Sequence, residues 1–172
     1  YAAMLKQAGD EGSEFATQHD AVNRISDAMF YLDSKTKDVK LAEPLGLFIN
    51  ECGSAPCPEE VESKYASQSI THILNNLLAF NRLLSGDDGS GFVDFLIDSN
   101  AQDIADTMSS DVQLALSDVQ AYQQSLAITL AENPEQVFQT HAEIKKVTDQ
   151  LKTDFINSLA LELPQTSAGD ND

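Results

Sequence analysis

A chain of 172 residues with 28 acidic and 10 basic side chains, for a formal net charge of −18, lacks the clustered Lys and Arg that nucleic-acid phosphates or anionic membrane surfaces require. With 42% hydrophobic residues, 8 Phe and no Trp it is long enough to bury one substantial core, and no run approaches the ~18 apolar residues that would span a bilayer. The acidity suits cationic ligands or metal ions, and an ordinary solvated surface accounts for it as well.

In chain order, Tyr1 to Ala8 reads as a short helical piece that breaks at Gly9-Asp10-Glu11-Gly12. Ser13 is placed to cap a helix of about seven turns, with Phe15, Val22, Ile25, Met29, Leu32 and Val39 at α-helical offsets on one face. Pro44, Gly46, Gly53, Pro56 and Pro58 then argue against regular structure. Ser67 or Ser69 caps a second long helix, whose Ile70, Ile73, Leu74, Leu77, Leu78, Phe80, Leu83 and Leu84 make it apolar around much of its circumference.

The Gly/Asp turn from Ser85 to Gly91 lacks the ligand spacing and the following Glu of a calcium loop. A short connecting helix from Phe92 to Ile97 follows it. Ile104, Met108, Val112, Leu116, Val119, Leu126 and Leu130 predict one long helix up to Asn133-Pro134, where Asn133 and Gln136 resemble a capping box. The last helix carries Ile144, Val147, Leu151, Phe155 and Leu159 and stops before Pro164, leaving a polar, frayed tail over 165–172. No segment alternates with period two, so the expected fold class is all-α: an up-and-down, four-helix-bundle-like domain with one long loop crossing an end of the bundle.

That crossing loop holds the chemistry. Cys52 and Cys57, spaced C-x4-C, are either a small disulfide clamp or half of a metal site; no second Cys/His cluster follows at zinc spacing, and His19, His72 and His141 are isolated, so a disulfide in an oxidising compartment is expected. Glu62, Ser63, Tyr65, Ser67 and Ser69 form a polar patch leading into the second long helix, with His72 one turn inside it. Asn75 and Asn76 point about 100° apart on that helix, so at least one faces the interior or the loop and needs a hydrogen-bond partner. These side chains either line a ligand site or hold the loop in place. For Tyr65 the plainer alternative is that its ring only fills a gap.

Familiar catalytic patterns are absent from the sequence. His141-Ala142-Glu143 has the wrong order and spacing for a di-iron bundle, no His-Glu-x-x-His run occurs, and Gly89-Ser90-Gly91 has no strand before it to build a nucleophile elbow. The chain starts at Tyr1 without an initiator Met, a basic n-region or an apolar h-region, which places any export signal upstream or already removed.

Three stretches in order, DVKLAEPLG at Asp38 to Gly46, CPEEVESKYASQS at Cys57 to Ser69 and ILNNLLAFNRLLSG at Ile73 to Gly86, resemble the imelysin family of insulin-cleaving membrane protease-like, iron-regulated proteins. The closing LKTDFINSLALEL and the acidic end fit as well, with Gly169-Asp170-Asn171-Asp172 replacing the family's usual Asp-Gly-Asp-like run. The resemblance is to the second half of that family. It implies a bacterial periplasmic or outer-membrane-associated protein tied to iron uptake, built from two helical-bundle halves that enclose a metal- or ligand-binding cleft. The N-terminal half of the same protein is then the first partner, iron-uptake components are further ones, nucleic acid is not, and membrane attachment runs only through an N-terminal anchor. An iron or zinc ion in the full-length protein is implied too. The family's Gly-x-His-x-x-Glu motif belongs to the first half, and Thr140-His141-Ala142-Glu143 does not match it. The metallopeptidase alternative therefore places its metal motif outside this chain, and no catalytic residue is expected within it.

Overall fold

In the structure, a computed structural model that describes residues 1–164, the first long helix starts at Thr17 and not at Ser13. The Thr17 hydroxyl accepts the Asp20 N–H at 3.1 Å while the Asp20 carboxylate accepts the Thr17 N–H at 2.8 Å, a complete capping box. Ser13 instead accepts the Phe15 N–H, and Phe15 lies before the helix, edge-on to Tyr1. The frayed tail expected over 165–172 lies outside the described residues.

A short α1 (Ala2–Lys6) precedes α2 (Gln18–Met29), which passes into a π-helical segment, π1 (Leu32–Ala42), and ends in α3 (Glu43–Leu45). The π winding corrects the expected face. Seven residues advance an α-helix by nearly two full turns but a π-helix by only about 1.6, so Val39 rotates away from Leu32 and is 37% exposed. Leu32, Asp33, Thr36, Lys37, Lys40 and Leu41 are buried in its place. Pro44, expected to forbid helix, sits where π1 hands over to α3; its missing N–H falls at a change of winding, where the ladder is already interrupted.

After a 3₁₀ turn at Pro58–Glu60 comes α4 (Ser69–Ser85), then α5 (Phe92–Asp98). The single long helix expected between Ile104 and Asn133 is broken into α6 (Gln102–Gln120) and α7 (Leu126–Glu132). Ser125 caps α7 by accepting the Ile128 N–H. Val119 and Leu126 are both buried, so the break keeps the apolar phase that made the two read as one. At α8 (Pro134–Gln150) Pro134 takes the first helical position as expected, but the Asn133 side chain makes no capping bond. A second π segment, π2 (Leu151–Phe155), and α9 (Ile156–Ser158) complete the chain, closed by the Leu161 N–H on the Ile156 carbonyl with Ala160 left-handed.

Four long units form the bundle. π1 packs on α4 and on α8, and α6 packs on the same two, so each unit has two neighbours around one core. Asp118 and Asp111 of α6 meet Thr140 and Gln150 of α8, so these two run antiparallel. The core is fully buried Ile73, Leu77, Met108, Val112, Ile144 and Leu151, with Phe92 edge-on to Phe155. Among the described residues there is no strand, only an isolated bridge between Asn50 and Gly53.

The two π segments meet inside the bundle at charge. Asp33, fully buried, lies 3.3 Å from the ammonium of Lys37 and 3.3 Å from that of Lys152; Lys37 reaches Asp38 at 2.9 Å. Neither Asp33 oxygen has hydrogen-bond alignment, so the attraction there is chiefly Coulombic.

Candidate functional site

The crossing loop is rigid before it reaches the site. Cys52 and Cys57 are disulfide-bonded, and the Asn50 side chain donates to the carbonyls of Glu43 and Ala55. Gly46, at φ +80°, passes so close to Ala55 that a Cβ would meet backbone atoms at 2.7 Å. The Glu51 N–H closes on the Glu60 carboxylate at 2.7 Å, and buried Val61 anchors the chain just before Glu62.

From there the backbone is strained. Ser63 and Ser67 have φ of 56° and 52°, a left-handed conformation that costs a non-glycine residue about 1 kcal/mol or more and that concentrates at sites. Ser67 is exposed and neither Ser67 nor Ser69 caps α4; Gln68 holds that position without a side-chain bond. The reason is that the Ser69 hydroxyl is turned back and donates to the Glu62 carbonyl, tying the helix start to the loop.

Glu62, Ser63, Ser69 and His72 are thus brought together, and a fifth residue that sequence reasoning missed joins them. Lys40 of π1, itself buried, forms a 2.9 Å ion pair with Glu62, whose carboxylate is 47% exposed. That bond, helped by the charges of Lys40 and His72, holds the Glu62 carboxyl below the usual glutamate range against the opposing effect of burial. The only sequence signal for Lys40 was a charge repeat, Asp33, Lys37 and Lys40, on a segment read with the wrong period.

His72 presents Nδ1 to the Ser63 hydroxyl at 3.5 Å and to Glu62 at 3.7 Å. Both contacts use the same ring nitrogen, whereas a hydrolytic triad needs nucleophile and acid on opposite nitrogens. The group is not wired for acyl transfer. Tyr65, expected either to line a ligand site with its neighbours or to fill a gap, is 94% exposed, its ring 5.2 Å from the Lys64 ammonium, and so fills no gap. Asn76 sits one turn beyond His72 and donates to the Thr36 hydroxyl of π1 at 3.0 Å, so it belongs to the α4–π1 seam and not to the loop.

Glu62 and His72 offer two metal-type donors with an ammonium already on the carboxylate. Among the described residues no group of three or more His, Cys, Asp or Glu is arranged to hold a metal ion. Taken alone, these residues do not fit a closed iron or zinc site, which requires four or more ligands. Among the described residues no helix is long and apolar enough to cross a membrane.

No curated relative and no solved structure matches the chain. The family model described as Imelysin matches residues 1–153, through π1, the disulfide loop, the Glu62–His72 cluster and α8. The chain belongs to the imelysin family.

Proposed function

We propose that this bundle is the C-terminal half of a two-bundle imelysin-type protein, exported to the bacterial periplasm or held at the outer membrane, and that it serves iron uptake by binding rather than by catalysis. The Glu62–His72 cluster forms one wall of a metal- or ligand-binding cleft, and the preceding bundle forms the other. The observation that carries this reading is the half-exposed Glu62 carboxylate, held from behind by buried Lys40 and faced by His72, on a loop with two left-handed serines.

In the metallopeptidase alternative the preceding bundle supplies the metal motif and this one shapes a peptide site. In that alternative the nucleophile is a water activated by the preceding bundle's metal, and Glu62 and His72 serve only as polar groups along the peptide site.

The test is metal retention by the two-bundle protein after dialysis against Fe(II) or Zn(II). Glu62→Gln combined with His72→Ala should lower retained metal at least tenfold with helix content unchanged. Equal retention by the variant and the parent protein would sink the proposal.

A further inference from the structure

At the entrance to α4 two nitrogens converge on one oxygen. The Lys40 ammonium lies 2.9 Å and His72 Nδ1 3.7 Å from the same atom, Glu62 Oε2. Lys40 is buried, whereas Glu62 and His72 are partly exposed, so the ammonium reaches that oxygen from within the bundle. Among the described residues Glu62 is the only carboxylate within ion-pair distance of Lys40. A second attraction holds the ammonium in place, the ring of Tyr31, whose centre is 6.0 Å away. The π winding sets this contact up. At about 4.4 residues per turn, positions 31 and 40 return to one side of π1, where an α-helix would leave them half a turn apart.

We infer that Lys40 is a built-in competitor at this site: its ammonium fills the position on Glu62 that a metal ion would take, and so sets the carboxylate against divalent cations. The inference rests on the reading of Glu62 and His72 as ligand-facing, and it gives their misfit to a metal a cause. A carboxylate and an imidazole share an ion through the atoms that face each other, here Oε2 and Nδ1. Oε2 already bonds an ammonium. A divalent ion on the same oxygen would stand beside a buried like charge, which water and salt screen little. Protons report the same competition. The Lys40 bond holds the Glu62 carboxyl below the usual glutamate range, and the neighbouring charge that opposes a proton there opposes any other cation. An ammonium that only positioned the carboxylate would do the reverse and favour metal by orienting its donor.

The probe is Zn(II), titrated into the two-bundle protein against a chelating dye, with helix content followed for every variant. Lys40→Met should tighten Zn(II) binding at least tenfold, Lys40→Arg should match the parent, and adding Glu62→Gln to Lys40→Met should abolish the gain. Removing Lys40 leaves no buried charge behind, because the Glu62 carboxylate is half exposed. Lys40→Gln, equally neutral, takes the place of Lys40→Met should that variant not fold. Unchanged or weaker binding in a folded neutral variant overturns the inference and makes Lys40 a positioning residue. A gain that survives Glu62→Gln overturns it too, because the ion then sits elsewhere, and so does an equal gain in Lys40→Arg, because charge is then not the cause. The two readings fail separately. If Glu62→Gln with His72→Ala leaves the parent's metal unchanged while Lys40→Met gains a Glu62-dependent ion, only the metal role of the parent cleft falls. If the parent loses metal through those substitutions and Lys40→Met gains none, only the competitor falls.

Discussion

Lys40 reaches Glu62 across 22 residues of chain by a 2.9 Å ion pair, and this contact joins the π-wound segment to the loop that opens α4. Because Lys40 is buried and Glu62 half exposed, the pair holds the carboxylate at the surface while its counter-ion stays behind it.

The pair has a pH signature. The folded state depresses the Glu62 pKa, chiefly through the Lys40 bond, so its contribution is present above the ordinary glutamate range and is lost as pH falls through the lower folded value. With the carboxylate solvent-accessible, the contribution is at most about 1 kcal/mol. Urea unfolding of Lys40→Met should therefore show a shallower loss of stability between pH 6 and pH 3 than the parent; parallel curves would mean that the pair is energetically idle.

The buried charges around Asp33 are a different matter. Asp33→Ala leaves the Lys152 ammonium without that partner inside the bundle and Lys37 with one fewer carboxylate, a loss of about 3 kcal/mol or more. Val39→Glu, by contrast, should cost less than about 0.5 kcal/mol, because the π winding turns position 39 outward. Chemical denaturation of the two variants checks the register: a severe loss at Val39 would mean α winding in solution.

How far the sequence was legible follows from these same residues. Apolar offsets of three and four located α4, α5, α6 and α8, and the Gly/Pro loop with its cysteines, because those helices are α-wound and packing follows their period. π1 carries no comparable signal. Its charges occupy positions that α geometry sends to solvent, so Lys40, the residue that fixes Glu62, went unread. The break after Gln120 was equally silent, having neither Gly nor Pro.

Another consequence sits at that break. The Tyr122 hydroxyl contacts the Thr140 hydroxyl at 2.8 Å, and Thr140 donates to Asp118. Burial, with Asp118 nearby and against the effect of the Thr140 bond, pushes the Tyr122 phenol up to about 12. A phenol raised in the folded state contributes stability that is complete below its unfolded value near 10 and is lost as pH rises towards 12. Ultraviolet titration should show one tyrosine ionising well after the others, and Tyr122→Phe should remove that late step.

For the disulfide, alkylation of native protein without reductant should add no mass, and two additions would rule the bridge out. The closed loop is short, with a sequence separation of 5, so replacing both cysteines should cost only about 2 kcal/mol in thermal or urea unfolding.

The last prediction concerns catalysis. A serine hydrolase passes a proton from its hydroxyl to one imidazole nitrogen while an acid steadies the other. In this chain Ser63 and Glu62 both face His72 Nδ1, and the Glu62 charge is already directed at Lys40. Zinc hydrolysis is no better served, since no group of three metal donors is assembled among the described residues. Purified chain incubated with unfolded polypeptide should therefore leave it intact, with or without added zinc, and Ser63→Ala should behave identically. Cleavage that persists through repurification and disappears in Ser63→Ala or His72→Ala would show that the loop rearranges into a catalytic geometry, and the binding assignment of Glu62 and His72 would have to be withdrawn.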